Sequence, residues 1–159
     1  MNDFSQLADL AIRLGAATLV GGMIGLNRDM HGKPAGLRML GLVALGAALA
    51  TVSVAAFPGS PASSPEALSR IIQGVLTGVG FLGAAVIMRD ESGNVHRLNT
   101  AASVWVTAIL GVICGLGEWM TVALGVILVL ILLTIGARID RRYYGTIEPP
   151  VLKPGNEAD

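Results

Sequence analysis

The sequence predicts an all-α protein: a polytopic membrane bundle of five transmembrane helices, N-terminus outside and C-terminus inside. Three observations carry that expectation. Of 159 residues, 53% are hydrophobic and only 14% are charged, against about 25% charged in soluble domains. The charges cluster, leaving five continuously apolar runs near the ~20 residues that span a ~30 Å hydrocarbon core. The positive charges fall in alternate loops, as orientation across a membrane requires.

The runs, in order, are Leu7–Leu26, Met39–Phe57, Ile71–Met88, Leu98–Leu116 and Trp119–Ala137. Helix is the form they must take, because a barrel strand alternates apolar with polar residues and these runs do not. The first run resembles a secretory leader in length. Asp3 stands where a basic region belongs and no small-residue cleavage site follows, so a retained helix is expected. Asn27–Arg38 links the first two spans. Pro58–Arg70, with Pro58, Pro61 and Pro65 among serines, reads as a turn-rich connection. Arg89–Arg97 is polar and carries the turn signal Gly93-Asn94. Gly117-Glu118 is so short that the last two helices must form a tight hairpin.

Charge gives the orientation. Arg28, Lys33, Arg38, Arg89, Arg97, Arg138, Arg141, Arg142 and Lys153 all fall on one side, leaving Arg70 opposite and Arg13 within the first span. Positive residues accumulate in the cytoplasm, so an odd number of spans with an internal C-terminus is expected. Residues 1–137 form the transmembrane domain. Residues 138–159 are expected to form a short cytoplasmic tail, disordered by composition. Five spans do not divide into two equal inverted halves, the plan of many carriers.

Several functions find no support. Net charge is zero, so no basic patch points to nucleic acid. Cys114 is the single cysteine, and His31 and His96 sit in different loops, giving neither a disulfide framework nor a metal-ligand set. No nucleophile–base pair, HExxH or phosphate loop is present. The sequence therefore predicts no catalytic residue, no metal and no cofactor. Its partners are expected to be the lipid bilayer, another membrane protein, or a second copy of itself.

Glycine is abundant, at 21 residues, and lies inside the apolar runs. Gly21 and Gly25 are one turn apart in the first span, Gly74 and Gly78 in the third with Gly80 and Gly83 beyond, and Gly111 and Gly115 in the fourth. Small residues let helix backbones approach closely. Packing within one bundle, a dimer seam and a close-approach pore lining are all compatible with that pattern. Asp9 and Arg13, four apart, can pair on one face, as an interfacial pair or as a gate element. Asn99 is a candidate N-cap for the fourth helix. Gln73, Thr77, Ser103 and Thr107 can serve as interhelical glue or line a polar cavity. Trp105 and Trp119 can act as interface anchors, with Trp105 expected deeper and packed inside.

Three stretches resemble the MgtC/SapB family. Gly25-Leu26-Asn27-Arg28-Asp29, followed by Ala35-Gly36-Leu37-Arg38, resembles that family's first cytoplasmic loop. Thr77-Gly78-Val79-Gly80-Phe81-Leu82-Gly83-Ala84 resembles its glycine-rich third helix, and Leu98-Asn99-Thr100-Ala101-Ala102-Ser103-Val104-Trp105 the entry to its fourth. Order and spacing match together from about residue 12 to 117. The chain departs from the family's usual Glu at Asn27, Thr at Met39 and Gly at Ala85. Virulence-associated members add a soluble C-terminal regulatory domain, which the twenty or so residues after the last helix are expected not to contain.

The resemblance implies an inner-membrane protein tied to growth under magnesium limitation and, in some pathogens, to survival inside macrophages and restraint of the proton-driven ATP synthase. It implies a buried polar network beneath the helix ends built from Asn27, Arg28, Asp29 and Arg38, with Asn99 and Thr100 lining a polar cavity. Asn27 supplies an amide where a cation site would want a carboxylate. A non-enzymatic role in ion homeostasis, through binding another membrane protein, is the expected function. A transporter or channel with a polar cavity between helices 1, 3 and 4 is the alternative.

Overall fold

The computed structural model of the chain describes residues 3–55, 64–89 and 95–143. It contains five helices: α1 (Asp3–Met30), α2 (Leu37–Ala55), α3 (Pro65–Val86), α4 (Leu98–Leu116) and α5 (Trp119–Tyr143). Each is long and apolar enough to cross a membrane. The departure from helix is a two-residue antiparallel ladder, β1 (Met88–Arg89) with β2 (Val95–His96), which joins α3 to α4. The turn dipeptide Gly93-Asn94 lies outside the described residues.

The helix ends differ from the expected spans for local reasons. At 28 residues, α1 is about 42 Å long, well beyond a ~30 Å core. It therefore carries Asn27, Arg28 and Asp29 on its last turn, where a loop was expected. Gly32 stops it: at φ 64, its N–H donates to the Asp29 carbonyl while the Lys33 N–H donates to the Arg28 carbonyl, each at 3.0 Å. That double return is a Schellman motif. Gly117, at φ 80, ends α4 in the same way through Cys114 and Ile113.

The start of α3 corrects the reading of Pro58–Arg70 as all connection. The Ser64 hydroxyl accepts from the Ala67 N–H at 3.1 Å, Pro65 is the first helical residue and Glu66 sits in the first turn. An N-cap serine, a proline with no amide to satisfy and an acid at the positive helix end all favour initiation there. At the other end α5 continues to Tyr143, so the first six residues assigned to a disordered tail are helical. The rest of that tail, and Phe57, lie outside the described residues.

α1, α2 and α4 form a mutually packed core; α3 flanks α2 and α4, while α5 flanks α1 and α4. α4 is the hub: 56% of its span is buried, against 11% for α3 and α5. Thr100, Val104, Thr107, Ala108, Gly111 and Gly115 are all buried and repeat at the three- and four-residue spacing of one helix face. Trp105 falls outside that stripe and remains 43% exposed, which corrects the expectation that it packs inside. Buried hydroxyls return to their own helix: Thr51 donates to the Ala47 carbonyl at 2.9 Å and Thr107 to Ser103 at 2.7 Å. Polar side chains away from water are satisfied that way.

The glycines separate into two sets. A Cβ on Gly21 would fall 2.8 Å from Ala44 Cβ, and one on Gly111 would fall 2.8 Å from Ala44 Cα. Ala44 of α2 is thus held between a glycine of α1 and a glycine of α4. Gly25 presses on the backbone of Gly36 and Leu37, and Gly115 on Thr51. Gly83 is in ordinary contact with Ala101. An added Cβ on Gly74, Gly78 or Gly80 meets nothing within 4 Å, so these glycines make no close-approach contact among the described residues.

Candidate functional site

The polar residues gather at the two ends of the α1–α4 pair. At one end Arg28 is 1% exposed. Its Nη1 donates to Ser103 Oγ at 2.8 Å and its Nη2 to Thr100 Oγ1 at 2.7 Å. Nη2 and Nε also donate to the Pro34 carbonyl, at 2.7 and 3.1 Å, and Nε reaches the Ala35 carbonyl at 3.2 Å. One guanidinium thereby joins α1, the turn after it and the first turn of α4. Arginine suits this task because its planar fork presents several donors in fixed geometry.

The turn is shaped to meet it. The Schellman ending at Gly32 folds Lys33-Pro34-Ala35 back over the end of α1, and Ala35 takes φ 63. Asp29, next along α1, turns the other way and accepts from the Leu37 N–H at 2.9 Å. It satisfies an orphan donor at the start of α2, where the helix dipole favours an anion. Gly36 makes room: any Cβ there would run into the Asp29 carboxylate.

The resemblance-based network is only partly assembled. Arg28 and Thr100 are bonded directly, while Asp29 serves the adjoining helix start. Arg38 is exposed on α2 and makes no bond to Arg28. Asn27 contributes its backbone carbonyl, 2.6 Å from His31 Nδ1, which must then carry the proton. Asn99 is not the N-cap of α4. Arg97 holds that position at φ 70 without a side-chain cap, which leaves Asn99 inside the first turn. The Asn99 backbone carbonyl accepts from Ser103 Oγ at 2.7 Å. Gln73 and Thr77 are exposed on α3, away from this cluster.

At the opposite end Arg13 Nε lies 2.8 Å from Asp9 Oδ2, in a geometry too bent for a hydrogen bond, so the contact is an ion pair. Arg13 Nη1 donates to the Gly115 carbonyl at 2.9 Å. The guanidinium also lies over Gly117, where an added Cβ would be 3.1 Å from Arg13 Cζ. A cation at the last turn of α4 is favoured by its dipole. Sequence reasoning paired Arg13 with Asp9 but missed this reach across the bundle, for which a glycine carbonyl leaves no residue-type signal.

A groove of about 450 Å³ opens beside the Arg28 cluster, between α4 and α5. Arg28, Lys33 and Asn99 line one end, while Val106, Val129 and Leu133 line its length. The cavity expected between helices 1, 3 and 4 is not where the polar groups converge. On the α3 side of α4 lies an apolar cleft of about 340 Å³, lined by Gly80, Gly83 and Trp105 among others. Among the described residues no cluster of three metal-ligating side chains occurs.

Comparison with known proteins gives this arrangement its context. The MgtC family model matches residues 14–142. The protein SrpB of Synechococcus elongatus is 43% identical over 140 residues, covering 83% of this chain and 77% of that one. The protein MgtC of Salmonella typhimurium is 44% identical over 119 residues, covering 75% of this chain and 48% of that one. The protein MgtC of Brucella abortus is 43% identical over 114 residues, with 72% and 45% covered. The chain thus spans about half the length of these MgtC relatives. No solved structure matches. With five membrane-spanning helices and the family match running from α1 through α5, this chain is a multi-pass membrane protein that belongs to the MgtC family.

Proposed function

We propose that the protein acts in the bacterial inner membrane, oriented N-out and C-in, as a non-enzymatic component of ion homeostasis under magnesium limitation. It works by binding and regulating another membrane protein. The observation that carries this reading is the contrast between a closed centre and open flanks. Ala17, Val20, Ile24, Ala44, Val104 and Ala108 are buried together, and glycines bring α1 and α4 onto the α2 backbone. Close packing of this kind among the described residues of α1, α2 and α4 argues against a wide polar pore between those helices. α3, by contrast, presents Gly74 and Gly78, one turn apart, with open space beyond them, the kind of face against which a second membrane helix packs. The Arg28 cluster fits as a clamp that fixes the shape of one end, since its donors are met by protein oxygens.

Purified protein in liposomes tests the proposal. The expected result is no saturable Mg²⁺ flux, together with loss of growth on low magnesium in cells carrying Gly78→Leu at normal abundance. Saturable flux that disappears in Asn99→Ala would replace the regulator reading with a carrier.

A further inference from the structure

The groove between α4 and α5 has a polarity of its own. Asn99 and Ser103 occupy the first turns of α4, and Gly136 faces them from α5; Val106 and Val129 lie about two turns deeper. The two helices run antiparallel, so the lining changes from polar to apolar over about 10 Å. Among the described lining residues, two cations stand at the polar end and no carboxylate does. Arg28 is buried and bonded only to neutral oxygens. Lys33 lies on the rim. Among the described acids, Asp29 adjoins Arg28 in the chain, and its carboxylate accepts from the Leu37 amide. Among the described residues the ion pair is Asp9–Arg13, at the other end of α1. The amino end of α4 adds the positive pole of its dipole. A buried cation facing a helix N-terminus is costly unless an anion offsets both.

We propose that this groove holds one anionic phospholipid, with its phosphate at the Arg28–Lys33 end and an acyl chain laid along Val106, Val129 and Leu133. The site faces the leaflet toward which the chain's positive loops are directed, where a basic residue near the surface strengthens anionic-lipid binding about fivefold. The groove's head-to-tail order of charge, then amide and hydroxyl, then aliphatic wall distinguishes this occupant from a small soluble anion, which has no use for the apolar length. This site stands apart from any regulated partner and rests only on the orientation proposed above.

Native mass spectrometry of the detergent-purified full chain tests it, with phosphatidylglycerol and phosphatidylcholine of identical acyl chains as probes. Phosphatidylglycerol should bind at least about fivefold tighter, and Lys33→Gln should remove that preference while leaving phosphatidylcholine unchanged. Gly136→Trp, placed where an added Cβ meets nothing within 4 Å, should weaken both lipids without lowering the melting temperature; should that variant not fold, Lys33→Gln alone decides. Inorganic phosphate at millimolar concentration should not displace the lipid. Equal binding of the two lipids, an unaffected Lys33→Gln, undiminished lipid binding by a folded Gly136→Trp, or full displacement by phosphate would each overturn the proposal.

Discussion

Arg28 Nη2 and Thr100 Oγ1, 72 residues apart in the chain, meet at 2.7 Å in the interior. Their counterparts at the other end of the bundle are Arg13 and the Gly115 carbonyl, 2.9 Å apart. The interval from Arg13 to Arg28 along α1 equals that from Thr100 to Gly115 along α4, about 22 Å of helix. Antiparallel helices of matched rise thus place an arginine of α1 at each end of α4. One arginine engages hydroxyls of the first two turns and the other a carbonyl of the last. The two contacts fix the axial register of α1 on α4, which apolar packing by itself constrains weakly.

Register control by Arg13 gives a first prediction. Arg13→Gln should lower unfolding stability by about 1.5–3 kcal/mol, the scale of one hydrogen bond to a charged group. Asp9→Asn should cost under about 1 kcal/mol, because an ion pair with an exposed partner is worth little. Denaturant titration in detergent checks both, and equal losses would show that the ion pair, not the carbonyl, holds Arg13.

The two sets of glycines behave differently under the same substitution. Gly111→Ala drives a methyl into the α2 backbone at Ala44 and should destabilise by about 1–3 kcal/mol, as overpacking does. Gly78→Ala meets nothing and should stabilise the helix by up to about 1 kcal/mol. Thermal unfolding of the pair in one detergent measures this. A loss at Gly78 matching that at Gly111 would mean that α3 packs where the structure leaves it open.

Asp29 and Gly36 form a unit that starts α2. Asp29→Ala should cost about 1 kcal/mol, as loss of a helix cap does. Gly36→Ala should cost more in the wild-type background than beside Asp29→Ala, because the carboxylate is what its Cβ would strike. Unfolding of the two single variants and the double variant gives the comparison, and strict additivity would refute the contact.

Orientation is open to cysteine labelling. Cys114 is fully buried, so the native thiol should resist a membrane-impermeant maleimide. In a Cys114→Ser background, a cysteine at Ser60 should label in intact cells, and one at Lys33 only after lysis. The reverse pattern would invert the N-out, C-in assignment.

The spans were legible because membrane helices advertise themselves by apolar length. α4 was read to the residue, since Arg97 and Gly117 bracket it with sharp changes in composition. The ends of α1 and α3 were misjudged for the opposite reason. Polar last turns such as Asn27–Met30, and the capped start Ser64-Pro65-Glu66, look like loop when hydropathy is the guide. Gly32, the residue type favoured just past a helix end, was available as a signal and would have placed Arg28 on a helix. Ser103 follows Thr100 by three residues and so shares its face, which made that half of the cluster readable. The carbonyls of Pro34 and Ala35 were not, because backbone acceptors are set by turn conformation and leave no mark in residue type. The openness of Gly74 and Gly78 was likewise hidden: a small-residue pattern states that close approach is possible and not which helix makes it.

The account rests on Arg28 as a clamp between α1 and α4. A double-mutant cycle on unfolding with Arg28→Met, Thr100→Val and the combined variant isolates that link. The predicted coupling is about 1–2 kcal/mol, with Arg28→Met alone costing more because it also strands the Pro34 and Ala35 carbonyls. Coupling indistinguishable from zero would contradict the clamp and leave Arg28 as a residue held in place by its own turn.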